Sequence, residues 1–395
     1  MSEKFEHASV ISGVGRSAKG RRLERSALDL TIEAAVEAIR DAGLTLADID
    51  GISTYPGGHA DWTAGFGGPP PHEVHDALRL NLTWYQGAAE LPGQLGALVA
   101  AAMAVASGVA RHVLVYRTVT ESTAQGARGR GSVLQGMERA GGYATWMAPF
   151  GGVSAVNWLA PVATRHMHEF GTTREQLGQI PINARRNAAL DPDGAVFTAP
   201  MTLDDYLTAR MISTPLCLLD CDVPVDGSTA LIVSTAAHAP NTPNGAVRLE
   251  AVGTASRGRP SWDQYADLTA TPIRDAAQHL WTRTDLTPAD VDVAELYDGF
   301  SILTLVWLES LGFCGHGEGG AFLEGGKNIA LDGALPLNTN GGQLSGGRLH
   351  GFGLLREAVV QLRHQAGERQ VADAEVAVVS NGGGTVAGAV LLTRI

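Results

Sequence analysis

A glycine-rich segment at residues 340–353 (NGGQLSGGRLHGFG) carries two side chains that could perform chemistry, Arg348 and His350. Its glycines allow the backbone to approach a ligand closely, and a helix is predicted to begin near Leu354. The N-terminus of a helix attracts an anion or a polarised carbonyl oxygen, which favours a ligand-binding loop over one that merely fits between sheets. The loop residues that we expect to contact substrate are Asn340, Gly341 and Gly342.

Two further segments follow predicted buried strands, where α/β folds place their sites. Tyr297 in residues 295–301 (ELYDGFS) presents a phenol there, although a single tyrosine more often only packs. Residues 380–384 (SNGGG) could supply backbone N–H groups to an oxyanion hole, while a structural turn is an equally good interpretation. The candidate catalytic residues are therefore Tyr297, Arg348, His350 and Ser380, and this second segment adds Asn381, Gly382 and Gly383 as candidate substrate contacts.

The start of a predicted helix at residues 97–106 is a position that would suit a catalytic nucleophile. The sequence, however, has no nucleophilic side chain there. Residues 90–96 (ELPGQLG) precede this helix, and no Cys, Ser or Thr occurs between Tyr85 and Ala106. Covalent catalysis needs an activated nucleophilic side chain such as a thiol or a hydroxyl. Any reaction at this site is therefore expected to follow another route.

An internal repeat predicts how these segments are brought together. Residues 44–50 (LTLADID) and 286–292 (LTPADVD) are nearly identical, and the second copy begins 242 positions after the first. Each copy follows a predicted helix and leads into a short strand, so that Tyr55 aligns with Tyr297. We interpret the repeat as a duplicated unit in preference to two unrelated α/β domains. The two predicted helices are residues 27–42 and 265–282.

Helices alternate with apolar strands in both halves of the sequence. A helix at residues 97–106 precedes a strand at 112–116, and a helix at 354–363 precedes a strand at 376–379. Strands that are apolar throughout are buried on both faces, as in layered α/β proteins. The sequence therefore predicts two α/β halves with buried sheets.

The composition along the chain predicts where the halves meet. We predict an N-terminal half at residues 1–240 and a C-terminal half at 246–395, with a hinge rich in Pro, Asn and Gly at 238–245. Within the first half, residues 126–205 are too long for a simple connection and include a helical stretch at 174–189. This insertion is predicted to cover the substrate.

The overall composition excludes several classes of protein. The chain has 395 residues and a net charge of −12 with no basic stripe, so we do not expect it to bind nucleic acid. Its three cysteines, Cys217, Cys221 and Cys314, match neither a disulfide framework nor a zinc site, which predicts a reducing compartment and no metal. The N-terminus does not resemble a signal peptide, and the most apolar stretch, residues 95–109, is too short to span a membrane. We predict a soluble cytoplasmic protein.

These segments together resemble the thiolase superfamily, and specifically its branch of non-specific lipid-transfer or sterol-carrier-type thiolases. The resemblance extends over nearly the whole chain, and residues 340–351 (NGGQLSGGRLHG) are its most specific part. Residues 202–215 (TLDDYLTARMISTP) and 218–230 (LLDCDVPVDGSTA) are also typical of that branch. The resemblance implies an α/β thiolase fold, in which two duplicated halves pack as a five-layered α/β/α/β/α sandwich and generally dimerise.

The chain departs from the thiolase pattern at four catalytic positions. The nucleophilic cysteine of the family falls near Leu91, and the Asn or His of its second motif falls on Tyr297. The histidine of the third motif falls on Arg348, with His350 two residues later, and the second cysteine falls on Ser380. A covalent acyl-enzyme on cysteine is therefore excluded, since that step needs a thiolate.

Steroid side-chain aldolases of the lipid-transfer type resemble the chain at Tyr297, Asp298 and Phe300 of residues 297–300 (YDGF), at 340–345 (NGGQLS) and at 350–351 (HG). These enzymes cleave a β-hydroxyacyl-CoA by a retro-aldol reaction, with tyrosines at the positions of Tyr297 and Arg348. They work with a small partner protein that contains an OB fold and a zinc ribbon. The resemblance implies the same lyase activity on a steroid side chain, a homodimer, that partner, and no cofactor besides the coenzyme A of the substrate.

On this hypothesis, Tyr297 takes or relays the proton of the substrate hydroxyl, and the charge of Arg348 is expected to lower the pKa of the phenol. His350 is the alternative base. The enolate oxygen is expected against backbone N–H groups of residues 380–384. Two other functions stay open at this point. One is a non-catalytic protein that binds acyl-CoA or lipid, and the other is a thiolase-like acyltransferase.

Overall fold

The computed structural model describes residues 4–56, 64–87, 93–126, 141, 144–191, 194–257, 265–384 and 386–395. Its strands are β1 (Ser9–Arg16), β2 (Gly51–Thr54), β3 (Trp84–Gln86), β4 (His112–Thr120), β5 (Met211–Ser213), β6 (Leu216–Cys217), β7 (Asp226–Thr235), β8 (Val247–Ser256), β9 (Val293–Glu295), β10 (Val376–Gly382) and β11 (Val386–Arg394). Its helices are α1 (Ala27–Asp41), α2 (Pro71–Leu78), α3 (Gly96–Ala106), α4 (Glu121–Gln125), α5 (Ala144–Met147), α6 (Ala155–Phe170), α7 (Arg174–Leu177), α8 (Gln179–Ala188), α9 (Leu203–Thr208), α10 (Pro272–Trp281), α11 (Ser301–Ser310), α12 (Gly319–Leu323) and α13 (Phe352–Leu362). None of these described helices has the length and apolar character needed to cross a membrane.

Nine of the strands form one sheet, in the order β3-β2-β4-β7-β1-β8-β11-β10-β9. The order is mirrored about its centre, because β1, β7, β4 and β2 of the first half correspond to β8, β11, β10 and β9 of the second. An isolated bridge between Ala294 and Leu337 takes the place of β3. Within the sheet, the halves join through a short antiparallel contact of β1 with β8 at Val10 and Ile11. The predicted duplication is confirmed.

The strands pack between three helical layers. In β4, Leu114 and Tyr116 face a core formed with α1 and α2, whereas Val113 and Val115 face a core shared with α3 and α13. In the second half, Val378 of β10 packs with α10 and α11, and its neighbours in the strand face α3 and α13. Burying each large aliphatic side chain contributes about 1.5–3 kcal/mol. Helices α3 and α13 therefore lie between the two halves of the sheet, as the predicted five-layered α/β/α/β/α sandwich requires.

Two predicted helices have different bounds in the structure. The helix predicted at residues 265–282 begins only at Pro272, because proline fixes its own φ and keeps the preceding residue extended. The stretch predicted at residues 174–189 is two helices, α7 and α8. Pro181 has no N–H to donate to the carbonyl of Leu177, so the helical hydrogen bonding is interrupted there.

The predicted insertion at residues 126–205 contains α5 to α8 and the start of α9. Its apolar residues, such as Leu159 and Ile180, share a core with α10 and α11 of the second half. The side-chain amides of Asn183 and Asn187 donate to the carbonyl of Leu337 at 2.9 and 3.0 Å, just before the glycine-rich segment. The insertion therefore supports that segment. The domain boundaries and the role of a substrate cover stay predictions.

Candidate active site

The glycine-rich segment at residues 340–353, called the glycine loop below, is tied to the chain that follows β9. Both carboxylate oxygens of Asp298 accept a hydrogen bond from the backbone N–H of Gln343, at 2.9 and 3.0 Å. The side-chain amide of Asn338 pairs with both backbone groups of Leu296, at 2.7 and 2.9 Å. The fold therefore brings two of the candidate segments together.

Two glycines in this loop have no room for a side chain. Gly342 has a φ of +57°, and a Cβ atom there would lie 2.0 Å from Asp298 Oδ2. Gly351 has a φ of +84°, and a Cβ atom there would lie 1.9 Å from Asn381 Nδ2. Both positions therefore need glycine, for the backbone conformation and for the close approach of neighbouring polar groups.

Other candidate residues of the glycine loop have partners within the protein. Asn340 Oδ1 accepts from the N–H of Gly342 at 2.9 Å, and Asn340 Nδ2 donates to the carbonyl of Gly353 at 3.2 Å. Gly341, with a φ of +88°, approaches Ala188 of α8 closely. These residues shape the loop, and their contact with substrate stays a prediction.

Tyr297 lies just beyond β9 and is buried, with 6% of its surface exposed. Its backbone N–H donates to Ser380 Oγ at 2.9 Å, which fixes the path of the chain as it leaves the strand. Burial raises the pKa of the phenol well above its usual value, the charge of Asp222 adds to this rise, and the charge of Arg348 opposes it. The net shift is therefore opposite to the one predicted from Arg348, because burial outweighs the nearby cation. At neutral pH, Tyr297 is a hydrogen-bond donor.

The predicted oxyanion hole at residues 380–384 is part of a turn between two antiparallel strands. The N–H of Gly383 donates to the carbonyl of Val386 at 3.2 Å, where the β10–β11 hairpin closes. This geometry opposes the predicted oxyanion role of Gly383 and agrees with the alternative of a structural turn. A donor role for Gly382 or for the side chain of Ser380 stays a prediction.

Arg348 lies between two buried carboxylates. Its Nη2 atom forms an ion pair with Glu121 of α4, and its Nε atom lies 3.6 Å from Asp222 Oδ2. Its backbone N–H donates to the carbonyl of Val223 at 2.8 Å. The guanidinium therefore ties the glycine loop to α4 and to the segment that precedes β7.

We expect replacement of Arg348 by methionine to lower the stability of the fold by about 3–5 kcal/mol, because the buried carboxylate of Glu121 loses its cation. The midpoint of urea denaturation, followed by circular dichroism, measures this loss. The double variant Arg348→Met/Glu121→Gln is the control, since it removes the charge of both partners and should recover most of the midpoint. A single variant as stable as the parent would show that the pair contributes nothing to the fold.

Arg117 of β4 is a buried arginine that contacts His350. Arg117 Nη2 lies 2.8 Å from His350 Nδ1, and because a guanidinium can only donate, the imidazole accepts at Nδ1 and carries its proton on Nε2. Nδ1 of His350 is therefore not available as the alternative base. The guanidinium also packs against the rings of Tyr55 and Phe66, with its central carbon 5.5 and 4.8 Å from their centroids. Burial lowers the pKa of Arg117 to about 10, which leaves it charged at neutral pH.

The duplication brings equivalent residues from the two halves into this site. The pairing of β2 with β4 has the same register as the pairing of β9 with β10, so Tyr55 and Arg117 of the first half correspond to Tyr297 and Asn381 of the second. A charge on Tyr55 would raise the pKa of Tyr297, so the two phenols are within electrostatic range. Asn381 Nδ2 donates to the carbonyl of His350 at 2.7 Å, and Asn381 Oδ1 has no hydrogen-bond partner among the described residues.

Known proteins are similar to the chain over nearly its whole length. Residues 247–393 match the family described as thiolase C-terminal domain-like. The chain is 34% identical, over 375 residues, to a steroid side-chain-cleaving aldolase of Thermomonospora curvata, and the match covers 90% of each protein. It is 33% identical, over 393 residues, to a 17-hydroxy-3-oxo-4-pregnene-20-carboxyl-CoA lyase of Mycobacterium tuberculosis, and this match covers 97% of the chain and 98% of the lyase.

A solved structure of the Ltp2-ChsH2(DUF35) aldolase is similar to the chain at a TM-score of 0.87 and 32% identity, and the match covers 98% of each chain. The match thus spans both halves, the insertion and the glycine loop. The thiolase fold that the family resemblance implied is confirmed. The chain belongs to the thiolase superfamily, in the branch that contains sterol-carrier-type thiolases and steroid side-chain-cleaving aldolases.

Proposed function

We propose that this chain is a lyase that cleaves the Cα–Cβ bond of a β-hydroxyacyl-CoA by a retro-aldol reaction. One observation carries this function: the site buries a protonated phenol, Tyr297, among charged side chains, while no Cys, Ser or Thr lies between Tyr85 and Ala106. The position that would hold a nucleophile, near Leu91, lies outside the described residues, but its side chain is not nucleophilic. Relatives named as an aldolase and a pregnene carboxyl-CoA lyase support a steroid side chain as the acyl group.

The reaction needs a base, an oxyanion site and an acid, but no nucleophile. The base removes the proton of the tertiary hydroxyl, whose oxygen becomes the carbonyl oxygen of a ketone. The Cα–Cβ bond breaks, and its electron pair forms the enolate of the shortened acyl-CoA. Protonation at Cα completes the products, so neither water nor an oxidant is consumed. A thiolase-fold site without cysteine is suited to this chemistry, which general acid–base and electrostatic catalysis can supply.

We assign the role of the base to Asp222. Its carboxylate is 7% exposed, lies 3.6 Å from Arg348 Nε, and is close enough to Tyr297 to raise the pKa of the phenol. His350 does not suit this role because its Nδ1 accepts from Arg117. Tyr297 does not suit it either, because burial keeps the phenol protonated. Tyr297 instead donates to the thioester oxygen and stabilises the enolate.

A partner protein and a dimer are part of the proposed assembly. The similar solved structure is described as an Ltp2-ChsH2(DUF35) aldolase, which supports a small partner with an OB fold and a zinc ribbon for this chain. We propose a homodimer, as is general for the fold. We propose no cofactor besides the coenzyme A of the substrate.

Mass spectrometry of the products tests this function. The protein, alone and with an OB-fold partner, is incubated with a tertiary β-hydroxyacyl-CoA that carries a steroid ring. We expect a ketone and a shortened acyl-CoA in equal amounts, and a substrate without the β-hydroxyl group should persist as the control. A hydroxylated substrate that binds in calorimetry but is not cleaved would favour a binding protein. Transfer of the acyl group to a second thiol would favour an acyltransferase.

A further inference from the structure

In Gln343 of the glycine loop, every hydrogen-bonding group except the side-chain NH2 group has a partner within the described residues. Its backbone N–H donates to Asp298, and its backbone carbonyl accepts from the N–H of Val223 at 3.0 Å. Its side-chain Oε1 accepts from the N–H of Gly351 at 3.1 Å. Because a backbone N–H can only donate, this contact also determines which end of the side-chain amide is the NH2 group. The residue is 2% exposed, so this group, Nε2, is removed from solvent.

The Nε2 group of Gln343 has no hydrogen-bond acceptor among the residues that the structure describes. A buried donor without an acceptor destabilises the protein, and a bound acceptor removes that cost. The amide cannot turn to find another partner, since its oxygen is held by Gly351. A donor that is desolvated and oriented in this way is suited to an oxygen atom of a ligand.

Gln343 and Tyr297 both lie near Gly351. The N–H of Gly351 donates to Gln343, and a Cβ atom on Gly351 would lie 3.7 Å from Tyr297 Cδ2. The Gln343 side chain also opposes, in part, the rise in the pKa of Tyr297, although their contact lacks the geometry of a formed hydrogen bond. Two donors, the phenol O–H and the amide N–H, are therefore neighbours in a buried site.

We infer that Gln343 Nε2 and the hydroxyl of Tyr297 together bind the thioester oxygen and form the oxyanion site of the reaction. This role rests on the proposed lyase function and adds Gln343 to its catalytic residues. When the Cα–Cβ bond breaks, the electron pair moves into the thioester, and its oxygen becomes an enolate oxygen. The contact with Gly351 already holds the Gln343 amide in place, and removing one such donor typically lowers kcat by about 10²–10³-fold.

Neither the N–H of Gly383 nor the side-chain amide of Asn381 offers the same donor. The N–H of Gly383 is engaged with the carbonyl of Val386, so the glycine turn does not supply it. Asn381 uses Nδ2 to donate to the carbonyl of His350, which leaves its Oδ1, an acceptor that would repel an enolate. Gln343 therefore supplies the amide donor that the turn was predicted to provide.

Two variants at position 343 separate the loss of the donor from a change of shape. Gln343→Glu keeps an oxygen for the N–H of Gly351 but replaces the NH2 group with a second oxygen. Its ionised form should lower kcat by about 10²–10³-fold, and its protonated form regains an O–H donor. The ratio of variant to parent activity should therefore rise as the pH falls. Gln343→Met has no donor at any pH, so its ratio should stay low throughout.

Exchange of the Cα hydrogens of propionyl-CoA in D2O, followed by mass spectrometry, tests the enolate without a steroid substrate. The parent protein with its partner should catalyse exchange, and Gln343→Met should be about 10²-fold slower while propionyl-CoA still binds in calorimetry. Exchange by the parent without cleavage of the steroid ester would support the oxyanion site and reject the steroid substrate. No exchange by the parent, exchange by Gln343→Met at the parent rate, or a pH-independent ratio for Gln343→Glu would overturn the role of Gln343.

Discussion

Tyr297→Phe should lower kcat by about 10²–10³-fold while the affinity for the CoA ester changes little. In the proposed mechanism the phenol donates to an oxygen whose charge develops only as the carbon–carbon bond breaks, so its loss acts on the transition state. The phenyl ring of the variant still fills the buried space that the tyrosine ring occupies. Steady-state turnover of the β-hydroxyacyl-CoA gives kcat, and calorimetry with a substrate that lacks the hydroxyl group gives the affinity.

Tyr116→Phe is the matched control for this experiment. The hydroxyl of Tyr116 is also buried and donates to the carbonyl of Pro69 at 2.8 Å. Its ring, however, packs in the core with α1 and α2, on the face of the sheet away from α3 and α13. The control should lose some stability and keep its kcat. If Tyr297→Phe also turns over at the parent rate, Tyr297 has no part in the mechanism.

Asp222→Asn should lower kcat by about 10²–10⁴-fold, which is the contribution expected of a general base. The amide has nearly the size of the carboxylate but cannot take a proton from the substrate hydroxyl. The same variant should lower the pKa of Tyr297, because the charge of Asp222 is one cause of its rise. Ultraviolet difference titration of the tyrosinate, with Asp222→Asn/Tyr297→Phe as the background, measures that shift.

The titration and the turnover distinguish two roles of Asp222. A lower pKa of Tyr297 with a low kcat agrees with a base beside the phenol. A lower pKa of Tyr297 with an unchanged kcat would mean that Asp222 affects only the pKa of the phenol. The base would then have to be another residue. Asp204→Asn, which replaces an exposed carboxylate on α9, is the control and should change neither quantity.

The repeat predicted the architecture because its residues form the same local structure in both halves. The N–H of Thr45 donates to Asp48 Oδ2 at 2.8 Å, and the N–H of Thr287 donates to Asp290 Oδ2 at 2.7 Å. These short turns introduce β2 and β9, which occupy mirrored places in the sheet. Hydrogen bonds between residues so close in the chain can be inferred from sequence. Helix α1, predicted at residues 27–42, spans Ala27–Asp41 in the structure. Its start is also set by a local hydrogen bond, because the N–H of Asp29 donates to the side chain of Ser26.

The active site was only partly predictable, because several of its contacts join distant parts of the chain. Arg117 lies in the apolar strand HVLVYRTVT, and a charged residue in such a strand is a signal that could have identified it. Nothing in the sequence indicates that Arg348 meets Glu121 or that the amide of Gln343 is held by Gly351. The pKa of a phenol depends on its burial, which is known only once the chain has folded.

The glycine run at residues 380–384 shows why the availability of Gly383 as a donor could not be predicted. A run of glycines supplies backbone N–H groups whether or not the following strand uses them. In this chain β11 begins at once, and the carbonyl of Val386 accepts from Gly383. The sequence alone could not decide whether the N–H of Gly383 has a partner within the protein, whereas the structure shows that it has one.

The mirrored sheet gives the two halves matching phenols with unlike neighbours. Tyr55 lies beside the cation of Arg117, whereas Asn381, at the position equivalent to Arg117, is neutral. A fully symmetrical site would accept an elongated molecule in either of two opposite directions. Because Arg117 is charged and Asn381 is neutral, the two ends of the site differ in charge. A substrate with different ends therefore has one preferred direction of entry. We expect this difference between the duplicated halves to favour one orientation of the bound ester.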